Sequence, residues 1–297
     1  MTEEKNRILG GTLYLVATPI GNMADISQRA IKTLTEVDFV AAEDTRNTAR
    51  LLACLGIHQK LISYHKHNRH VRGNEIVARL LAGDSCALVT DAGMPAISDP
   101  GEDLVRQCAA CGIPVTVVPG CCAVVTALAL SGLATTRFAF EGFLPVENGE
   151  RKKRLEALRY ERRTMIFYEA PHKLLRTLED LHATFGERQI ALCRELTKIN
   201  EEIQRMPLGE ALQLYREKQP RGEYVLVLAG GEEAGETCAA SPSPTEQMTP
   251  QEKVDYYMQT QGLSRMAAIK AAAKEMGLPK SELYRMLLPE DDEDVSH

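Results

Sequence analysis

The longest stretch whose residue types could bind a ligand or take part in a reaction is ALVTDAGMPAISDPG, residues 87–101. In it an apolar run is followed by a loop. The loop holds two aspartates, two prolines and two glycines. A cluster of this kind is typical of a strand-to-helix connection. Loops rich in glycine, proline and alanine also expose backbone N–H and C=O groups to a bound molecule. The stretch therefore leaves a plain connection and a ligand loop as alternatives.

Two shorter stretches also follow predicted strands. VATPIGNMADIS (16–27) matches neither GxGxxG nor GxxxxGK[ST], so it indicates neither a dinucleotide site nor a P-loop. AAEDTR (41–46) places Glu43 and Asp44 where a carboxylate could act as a base or bind a ligand. The structural alternative is equally good, because Asp44 or Thr45 would cap the next helix and Arg46 would pair with a carboxylate.

Two basic stretches could contact phosphates. SYHKHNRHVRG (63–73) has histidines spaced by two and three without a nearby carboxylate or cysteine, which disfavours a metal site. A phosphate-contacting loop and a solvated polar loop remain equal alternatives. RKKRLEALRYERR (151–163) has seven basic residues in a chain of net charge −6, so we favour RNA as its partner over a solvated face. The candidate RNA contacts are Arg46, Lys66, Arg69, Arg151, Lys152, Lys153 and Arg154.

The cysteines and the termini bound the class of protein. Cys108 and Cys111 fall within a predicted amphipathic helix, whereas structural zinc sites use two matched pairs on turns, so we expect no metal. No apolar run approaches the roughly 18 residues that span a bilayer. The start, MTEEKNRILGG, lacks the basic and apolar regions of a signal peptide. The sequence therefore predicts a cytoplasmic protein without a membrane span.

The elements that must position these stretches alternate between strands and helices. TLYLVAT, DFVAAE, KLISYH, CALVT and IPVTVVPG are predicted strands, and the helix after KLISYH is predicted to begin near Asn74. This alternation favours an α/β fold with a mostly parallel sheet, whose carboxyl edge binds ligands. After Pro119-Gly120 the strands are closely spaced and mixed in character, which predicts a second α/β domain with an antiparallel component.

Composition predicts the domain boundaries. We expect an N-terminal α/β domain (1–118), a C-terminal α/β domain (119–230) and a Gly/Ser/Pro/Glu-rich linker (231–248). Three short helices follow, with Thr249 capping the first, in a helix-turn-helix-like appendage (249–290). The alternative is a helical appendage that packs on the body or on a partner. An acidic tail (291–297) ends the chain.

Several stretches taken together resemble one family. GTLYLVATPIGNMADIS, AAEDTR, DAGMPAISDPG, RFAFEGFLP, IFYEAPHKLLRTLEDL and RELTKINEE are similar to the small-subunit ribosomal RNA methyltransferase I family, cytidine 2′-O-ribose methyltransferases of the tetrapyrrole-methylase superfamily. The similarity spans residues 11–228, and the terminal helices match that family's appendage. It implies two α/β domains with S-adenosylmethionine in the cleft between them. It also implies a homodimer and 16S ribosomal RNA or the small ribosomal subunit as substrate.

The resemblance implies a set of cofactor contacts in this chain. Cys121 and Cys122 stand where relatives have a proline and a small residue, commonly serine, and Met94 stands where threonine is usual. If position 122 supplies a hydroxyl hydrogen bond in relatives, a thiol is a weaker substitute. The implied contacts are Pro19, Ala92, Gly93, Met94, Ile97, Ser98, Cys122, Ala123, Tyr168 and, less directly, Arg194 and Glu223.

Methyl transfer to a 2′-hydroxyl needs alignment of the two reactants and a base that takes the hydroxyl proton. Our hypothesis makes Glu43 or Asp44 that base or its orienting partner, with His65 as the second choice because histidine titrates near neutral pH. Two other functions stay open: methylation of a small tetrapyrrole-like acceptor, and a non-catalytic nucleic-acid-binding protein that senses S-adenosylmethionine. The basic run and the terminal helices favour RNA over a small acceptor.

Overall fold

The computed structural model describes residues 7–231, 248–261, 263–276 and 278–287. The described residues up to Gly231 form one compact unit, and those from Met248 onward form a second. Most of the predicted linker, the last positions of the predicted appendage and the whole predicted acidic tail lie outside the described residues. The predicted domain boundaries stay a prediction.

The first half of the chain forms a five-stranded parallel sheet with the order β3-β2-β4-β1-β5. This arrangement confirms the parallel sheet that the alternating pattern predicts. Its strands are β1 (Leu13–Val16), β2 (Phe39–Ala42), β3 (Leu61–Ser63), β4 (Cys86–Val89) and β5 (Val115–Val118). The helices between them are α1 (Gln28–Glu36), α2 (Thr45–Cys54), α3 (Arg69–Leu81) and α4 (Gly101–Ala110).

Burial on both faces explains why the central strands β2 and β4 are apolar throughout. Every residue of β2 and of β4 is buried, as expected for central strands of a parallel sheet between two helix layers. Leu13 and Tyr14 are neighbours in β1 but belong to apolar clusters on opposite faces of the sheet. The sheet therefore leaves only its edges, and the loops that follow its strands, open to ligands.

The second half forms a mixed sheet with the order β6-β7-β10-β8-β9. Strands β6 and β7 are parallel and the other pairs are antiparallel, which confirms the predicted antiparallel component. The strands are β6 (Phe138–Phe143), β7 (Thr164–Glu169), β8 (Gln189–Arg194), β9 (Glu202–Pro207) and β10 (Tyr224–Leu228). The helices are α5 (Ala123–Ser131), α6 (Asn148–Leu158), α7 (Leu174–Phe185) and α8 (Leu208–Glu217).

The predicted phosphate-contacting loop is shorter than expected. Helix α3 begins at Arg69 rather than near Asn74, so half of SYHKHNRHVRG is helical. The Asn68 side chain accepts a hydrogen bond from His65 N (2.8 Å) and donates one to Ser63 O (3.1 Å). These side-chain bonds hold the turn before the helix in place, as asparagine does at many helix starts.

One residue of the basic run is structural. Arg151 is only 5% exposed; its Nε donates to Asp180 Oδ2 (2.6 Å) and its Nη2 to Thr177 Oγ1 (2.7 Å). These bonds join α6 to α7. The prediction that Arg151 contacts RNA is therefore wrong, because its guanidinium is buried and already paired with protein groups.

The second unit consists of three helices, α9 (Pro250–Gln261), α10 (Arg265–Glu275) and α11 (Lys280–Met286). Thr249 N and Oγ1 donate to Glu252 Oε2 at 2.7 and 2.8 Å, and Glu252 N donates to Thr249 Oγ1 at 3.4 Å. This reciprocal arrangement is a capping box and confirms the predicted Thr249 cap. Val254, Ile269 and Leu283 join the three helices in one apolar cluster. None of the described helices is long and apolar enough to cross a membrane.

We expect Arg151→Met to lower the free energy of unfolding by about 2 kcal/mol, because it removes the buried guanidinium that bonds to Asp180 and to the Thr177 hydroxyl. The matched control is Lys152→Met on the same helix, whose exposed side chain predicts a change within about 0.5 kcal/mol. Urea unfolding of both variants measures the difference. Equal stabilities of the two variants would contradict the structural role of Arg151.

Candidate active site

A cavity of ≈ 600 Å³ lies at the carboxyl edge of the parallel sheet. Residues that follow β2 (Glu43), β4 (90–94 and 97–99) and β5 (Cys122) line it from one side. Tyr168, Val225 and Cys193 line it from the other side, where they stand next to one another in register across β7, β10 and β8. The carboxyl edge of an open parallel sheet is where α/β folds bind ligands.

The loop after β4, which we call the central loop (residues 90–100), is fixed to the loop after β1. Thr18 and Gly93 exchange two backbone hydrogen bonds of 3.0 and 3.1 Å. Gly93 has φ +86°, and a Cβ at this position would stand 3.3 Å from Ile20 Cγ2. The close approach and the left-handed backbone together favour glycine here.

Asp99 shapes the rest of the central loop. Its Oδ1 accepts hydrogen bonds from Ala96 N (3.0 Å) and from Gly101 N (2.7 Å), the first residue of α4. Ala96 and Ser98 both have φ +67°, which is unusual for residues with a Cβ. Burial raises the pKa of Asp99. Within the described residues, its Oδ2 is buried without a hydrogen-bond partner although the residue lines the cavity.

The loop after β1 also touches the loop after β8, and we call this contact the clasp (Gly21–Asn22 against Leu196–Lys198). A Cβ on Gly21 would stand 2.5 Å from Lys198 Cγ, 2.8 Å from Thr197 Oγ1 and 3.0 Å from Leu196 O. Asn22 N donates to Thr197 Oγ1 at 3.1 Å. The clasp joins the two halves of the cavity wall directly.

A charged cluster at the ends of β8 and β10 supports the clasp. Lys198 Nζ donates to Glu195 Oε1 and to Glu223 Oε2, both at 2.9 Å, and all three residues line the cavity. Glu195 N donates to the Glu223 carbonyl at 3.0 Å, which joins the ends of β8 and β10. The cluster therefore fixes this rim through both backbone and side-chain bonds.

Tyr168 and Glu169 form the wall at the end of β7. The Tyr168 ring contacts Phe140 and Phe143 at centroid distances of 5.1 and 5.5 Å, and burial raises the pKa of its hydroxyl to about 12. Buried Glu169 accepts hydrogen bonds from Ala170 N (2.9 Å) and from Thr177 Oγ1, the same hydroxyl that Arg151 contacts. The wall is therefore tied to the buried Arg151 network.

The two candidate carboxylates after β2 differ in their surroundings. Glu43 lines the cavity, and Thr90 Oγ1 donates to its Oε2 at 2.9 Å. Burial, and then the nearby Asp91 and Asp99 carboxylates, raise the pKa of Glu43. Such a shift is common in groups that act as general bases.

Asp44 behaves as the capping alternative predicts. It accepts a hydrogen bond from Arg46 N (2.8 Å) at the start of α2 and pairs with the Arg46 guanidinium at 2.7 Å. These bonds lower the pKa of Asp44. Asp44 is not among the residues that line the cavity, so its geometry favours a helix cap rather than a base.

The structure brings most of the predicted cofactor contacts together. The predicted residues that line the cavity are Ala92, Gly93, Met94, Ile97, Ser98, Cys122, Ala123, Tyr168 and Glu223. Pro19 does not line it but precedes Ile20, which does. Arg194 is directed elsewhere, since its side chain donates to Glu202 Oε2 and to the Arg221 carbonyl, both at 2.8 Å. His65 also lies outside the lining, and its Nδ1 accepts a hydrogen bond from His67 N at 3.3 Å.

The remaining candidate RNA contacts lie outside the cavity, and most of them are in ion pairs. Arg46 pairs with Asp44, Arg69 with Asp103, Lys153 with Glu150 and Arg154 with Glu141. Lys66 and Lys152 are exposed. In the basic run (151–163), the charges of Lys153 and Arg154 are therefore offset by neighbouring carboxylates in the folded protein.

Sequence reasoning missed much of the cavity lining that the second sheet and the loops after its strands supply. The residues missed there are Phe143, Glu169, Ala170, Pro171, His172, Cys193, Glu195, Leu196, Lys198, Tyr224 and Val225. In the first half of the chain it also missed Ile20, Thr90, Asp91 and Asp99. EAPHK and RELTK follow strands, so the strand-end rule that selects Glu43 could have selected them. No comparable signal marks Tyr224 and Val225, because they begin a strand.

The two cysteine pairs, Cys108/Cys111 and Cys121/Cys122, do not form a shared metal site in the described structure. Cys108 in α4 is buried and Cys111 after it is exposed. Cys122 lines the cavity, while Cys121 Sγ donates to the Asp25 carbonyl at 3.6 Å. Across the described part of the chain, no three His, Cys, Asp or Glu side chains are placed to hold a metal ion.

Comparison with known proteins places this fold in a family. The family model for tetrapyrrole (corrin/porphyrin) methylases matches residues 12–212. The ribosomal RNA small subunit methyltransferase I of Synechocystis sp. is 47% identical, covering 94% of this chain and 98% of that protein. The Bacillus subtilis protein of the same name is 44% identical, covering 92% of this chain and 93% of that protein.

Solved structures agree on the fold. The uroporphyrin-III-C-methyltransferase of Thermus thermophilus aligns with a TM-score of 0.53 at 21% identity, covering 74% of this chain and 94% of that one. A diphthine synthase aligns with a TM-score of 0.59 at 13% identity, covering 74% and 89%. The cavity, the two sheets and the sequence matches lead to one conclusion: the chain belongs to the tetrapyrrole (corrin/porphyrin) methylase family, in the group of the ribosomal RNA small subunit methyltransferase I proteins.

Proposed function

We propose that the chain transfers a methyl group from S-adenosylmethionine to the 2′-hydroxyl of a cytidine in 16S ribosomal RNA. The observation that carries the proposal is the near full-length identity of 44–47% to proteins named ribosomal RNA small subunit methyltransferase I. The cavity supports it, because a carboxylate with a raised pKa lies beside a loop that presents backbone groups.

The cavity fits S-adenosylmethionine. Its volume of ≈ 600 Å³ lies within the range of small-molecule sites. The cofactor has no phosphate, so the absence of a phosphate-binding glycine motif from 16–27 and from the central loop is consistent with it. The unpaired Asp99 Oδ2 offers an acceptor for a hydroxyl or ammonium group. When bound, S-adenosylmethionine supplies an electrophilic methyl group on a positively charged sulfur.

The chain's own residues would hold the cofactor mainly through backbone groups and apolar contacts. Ala92, Gly93 and Met94 present the central-loop backbone, and Tyr168 supplies an aromatic wall. Cys122 packs with the apolar cluster that contains Cys193 and Leu196, and its side chain caps no helix N–H. This placement supports a backbone or packing role at position 122, for which a thiol can replace a hydroxyl.

Glu43 is the base in this mechanism. Thr90 would hold Oε2, which leaves Oε1 to accept the proton of the 2′-hydroxyl. The bound cofactor would supply the methyl group, and its sulfur would keep the electron pair of the broken S–CH3 bond. A raised pKa makes the carboxylate a better proton acceptor than an ordinary exposed glutamate. Enclosure of the site by the clasp and by the Tyr168 wall aligns the reactants and limits the access of water.

The exposed cations remain candidates for the RNA interface. Lys153 and Glu150 form an exposed ion pair, which is worth about 0–1 kcal/mol, so a phosphate can replace the Glu150 carboxylate. The side chains of Arg46, Arg69 and Arg154 are 83%, 37% and 50% exposed, so they can contact phosphates while they stay paired with their carboxylates. Lys66 and Lys152 complete this set. The homodimer and the cytoplasmic location stay predictions.

The deciding experiment incubates the pure protein with isotope-labelled S-adenosylmethionine and either naked 16S RNA or small ribosomal subunits. Label on a ribose 2′-oxygen of a cytidine supports the proposal, and mapping it identifies the nucleotide. A parallel reaction offers a porphyrin or corrin precursor as acceptor. Label in that acceptor alone, or cofactor binding without transfer to any acceptor, would replace the proposal by one of the other two functions.

We expect kcat to rise with pH up to the raised pKa of Glu43 and to level off above it, because only the ionised carboxylate accepts the proton. Glu43→Gln removes the base, so kcat falls by about 10²–10⁴-fold and the pH-dependent rise disappears. Asp44→Asn is the matched control, since asparagine also caps helices, and it keeps the pH profile. Full transfer by Glu43→Gln would overturn the assignment.

Gly21→Ala tests the clasp. Its Cβ would overlap Leu196 O and Thr197 Oγ1, and overpacking of this kind costs about 1–3 kcal/mol, so we expect the Kd for S-adenosylmethionine to rise roughly tenfold. Gly149→Ala, where an added Cβ meets nothing within 4 Å, is the control and keeps the Kd. Calorimetric titration measures both. Equal affinities would show that the clasp does not shape the cofactor site.

A further inference from the structure

A second cavity of ≈ 490 Å³ adjoins the candidate active site, and we call it the side groove. One wall is formed by Pro171, His172 and Leu175, which follow β7. The other wall is the end of α8 and the segment after it, Tyr215 to Pro220. Pro171 and His172 line both cavities, so a chain bound in the active site can continue into the side groove.

The side groove combines an apolar floor with a basic rim. Pro171, Leu175, Pro220 and the buried Tyr215 supply the floor. His172, Arg216 and Lys218 are exposed at the rim beside one acidic residue, Glu217.

The rim cations are available to a ligand. Arg216 and Lys218 have side chains that are 58% and 43% exposed, and their carboxylate partners are Glu179 at 3.6 Å and Glu202 at 3.4 Å. Pairs this exposed contribute about 0–1 kcal/mol. A phosphate can therefore displace these carboxylates at little cost.

We propose that the side groove binds the single-stranded RNA that flanks the methylated nucleotide, an inference that rests on the proposed function. Grooves for single-stranded nucleic acid pair cations along the backbone with apolar or aromatic surfaces for the bases. In the side groove the Arg216 and Lys218 cations contact phosphates, and the prolines and Leu175 contact a base. The target nucleotide enters the larger cavity past His172, which lies on the shared wall.

The alternative RNA footprint on α6 is less well placed for the active site. Arg151 is buried, and Lys153 and Arg154 pair with Glu150 and Glu141. None of the three lines the active-site cavity. The side groove, by contrast, shares a wall with that cavity, and its cations reach the nucleotides next to the reacting one.

The shared wall is built before RNA binds. Glu169 accepts hydrogen bonds from Ala170 N and Thr177 Oγ1, and Lys173 N donates to the Ala170 carbonyl at 3.0 Å. Arg151 donates to the same Thr177 hydroxyl from the other side at 2.7 Å. The wall that the two cavities share is therefore held in place by these bonds, which lowers the ordering cost of binding on this side of the groove.

The test compares the double variant Arg216→Gln/Lys218→Gln with the matched control Lys32→Gln/Arg106→Gln. The control removes the same charges from exposed ion pairs on α1 and α4. Binding of 16S RNA is measured as a function of salt, with S-adenosylmethionine affinity and melting temperature as checks of folding. We expect about tenfold weaker RNA binding for the groove variant, and a slope of log K against log[salt] smaller by about 1.4, the value for two single-strand phosphates.

Ultraviolet cross-linking of the wild type provides a second readout. Peptides 171–175 and 215–220 are expected to cross-link to nucleotides next to the methylated one. Unchanged RNA affinity of the groove variant, or cross-links only to distant nucleotides, would overturn the proposal. Weakened activity on assembled subunits with unchanged affinity for naked RNA would also overturn it, because the groove would then bind a protein.

Failure of this inference is distinguishable from failure of the proposed function, because RNA binding is measured without methyl transfer. Methylation of 16S RNA by the wild type with unchanged RNA binding by the groove variant rejects the side groove alone. Groove-dependent RNA binding without any methyl transfer by the wild type rejects the enzyme activity and retains RNA contact at the side groove.

Discussion

The contact between the loops after β1 and β8 is the constraint on which the cavity depends. Gly21 lies so close to Leu196, Thr197 and Lys198 that an added Cβ would have to displace them. Together with the Asn22 N–Thr197 Oγ1 hydrogen bond, this contact holds the carboxyl edge of the parallel sheet opposite the ends of β7 and β8. The loop after β1 also holds the central loop through Gly93. One short segment thus connects both walls of the cavity.

Backbone strain is concentrated in the central loop and in the loop after β8. In the part of the chain that the structure describes, the non-glycine residues with positive φ are Ala96, Ser98, Glu195 and Thr197. Such conformations cost of order 1–3 kcal/mol each and persist where neighbouring bonds over-determine them. Asp99 supplies those bonds in the central loop. Lys198 and Glu223 supply them after β8. Two of these four residues, Ser98 and Glu195, line the cavity.

The sequence predicts the part of the site that local patterns determine. Strand–helix alternation predicts the parallel sheet, and the sheet predicts that Glu43 and the central loop meet at one edge. The contribution of Val225 depends on the antiparallel pairing of β10 with β7 and β8, which is a long-range choice. Arg151 shows a similar limit, because a basic run shows charge but not the Asp180 that neutralises it. Local patterns therefore could not predict the features that depend on pairing between strands or side chains far apart in the sequence.

Glu43 and Asp44 show why neighbours of the same chemical type acquire different roles. The chain turns from β2 into α2 between them, so one carboxylate enters the cavity and the other remains at the surface on the helix start. Burial raises the pKa of Glu43, whereas the bonds with Arg46 lower the pKa of Asp44. Environments that separate two carboxylates in this way support the proposal that Glu43 accepts the proton while Asp44 caps the helix. The sequence alone could not separate them, because both stand at the end of the strand and either could precede the helix.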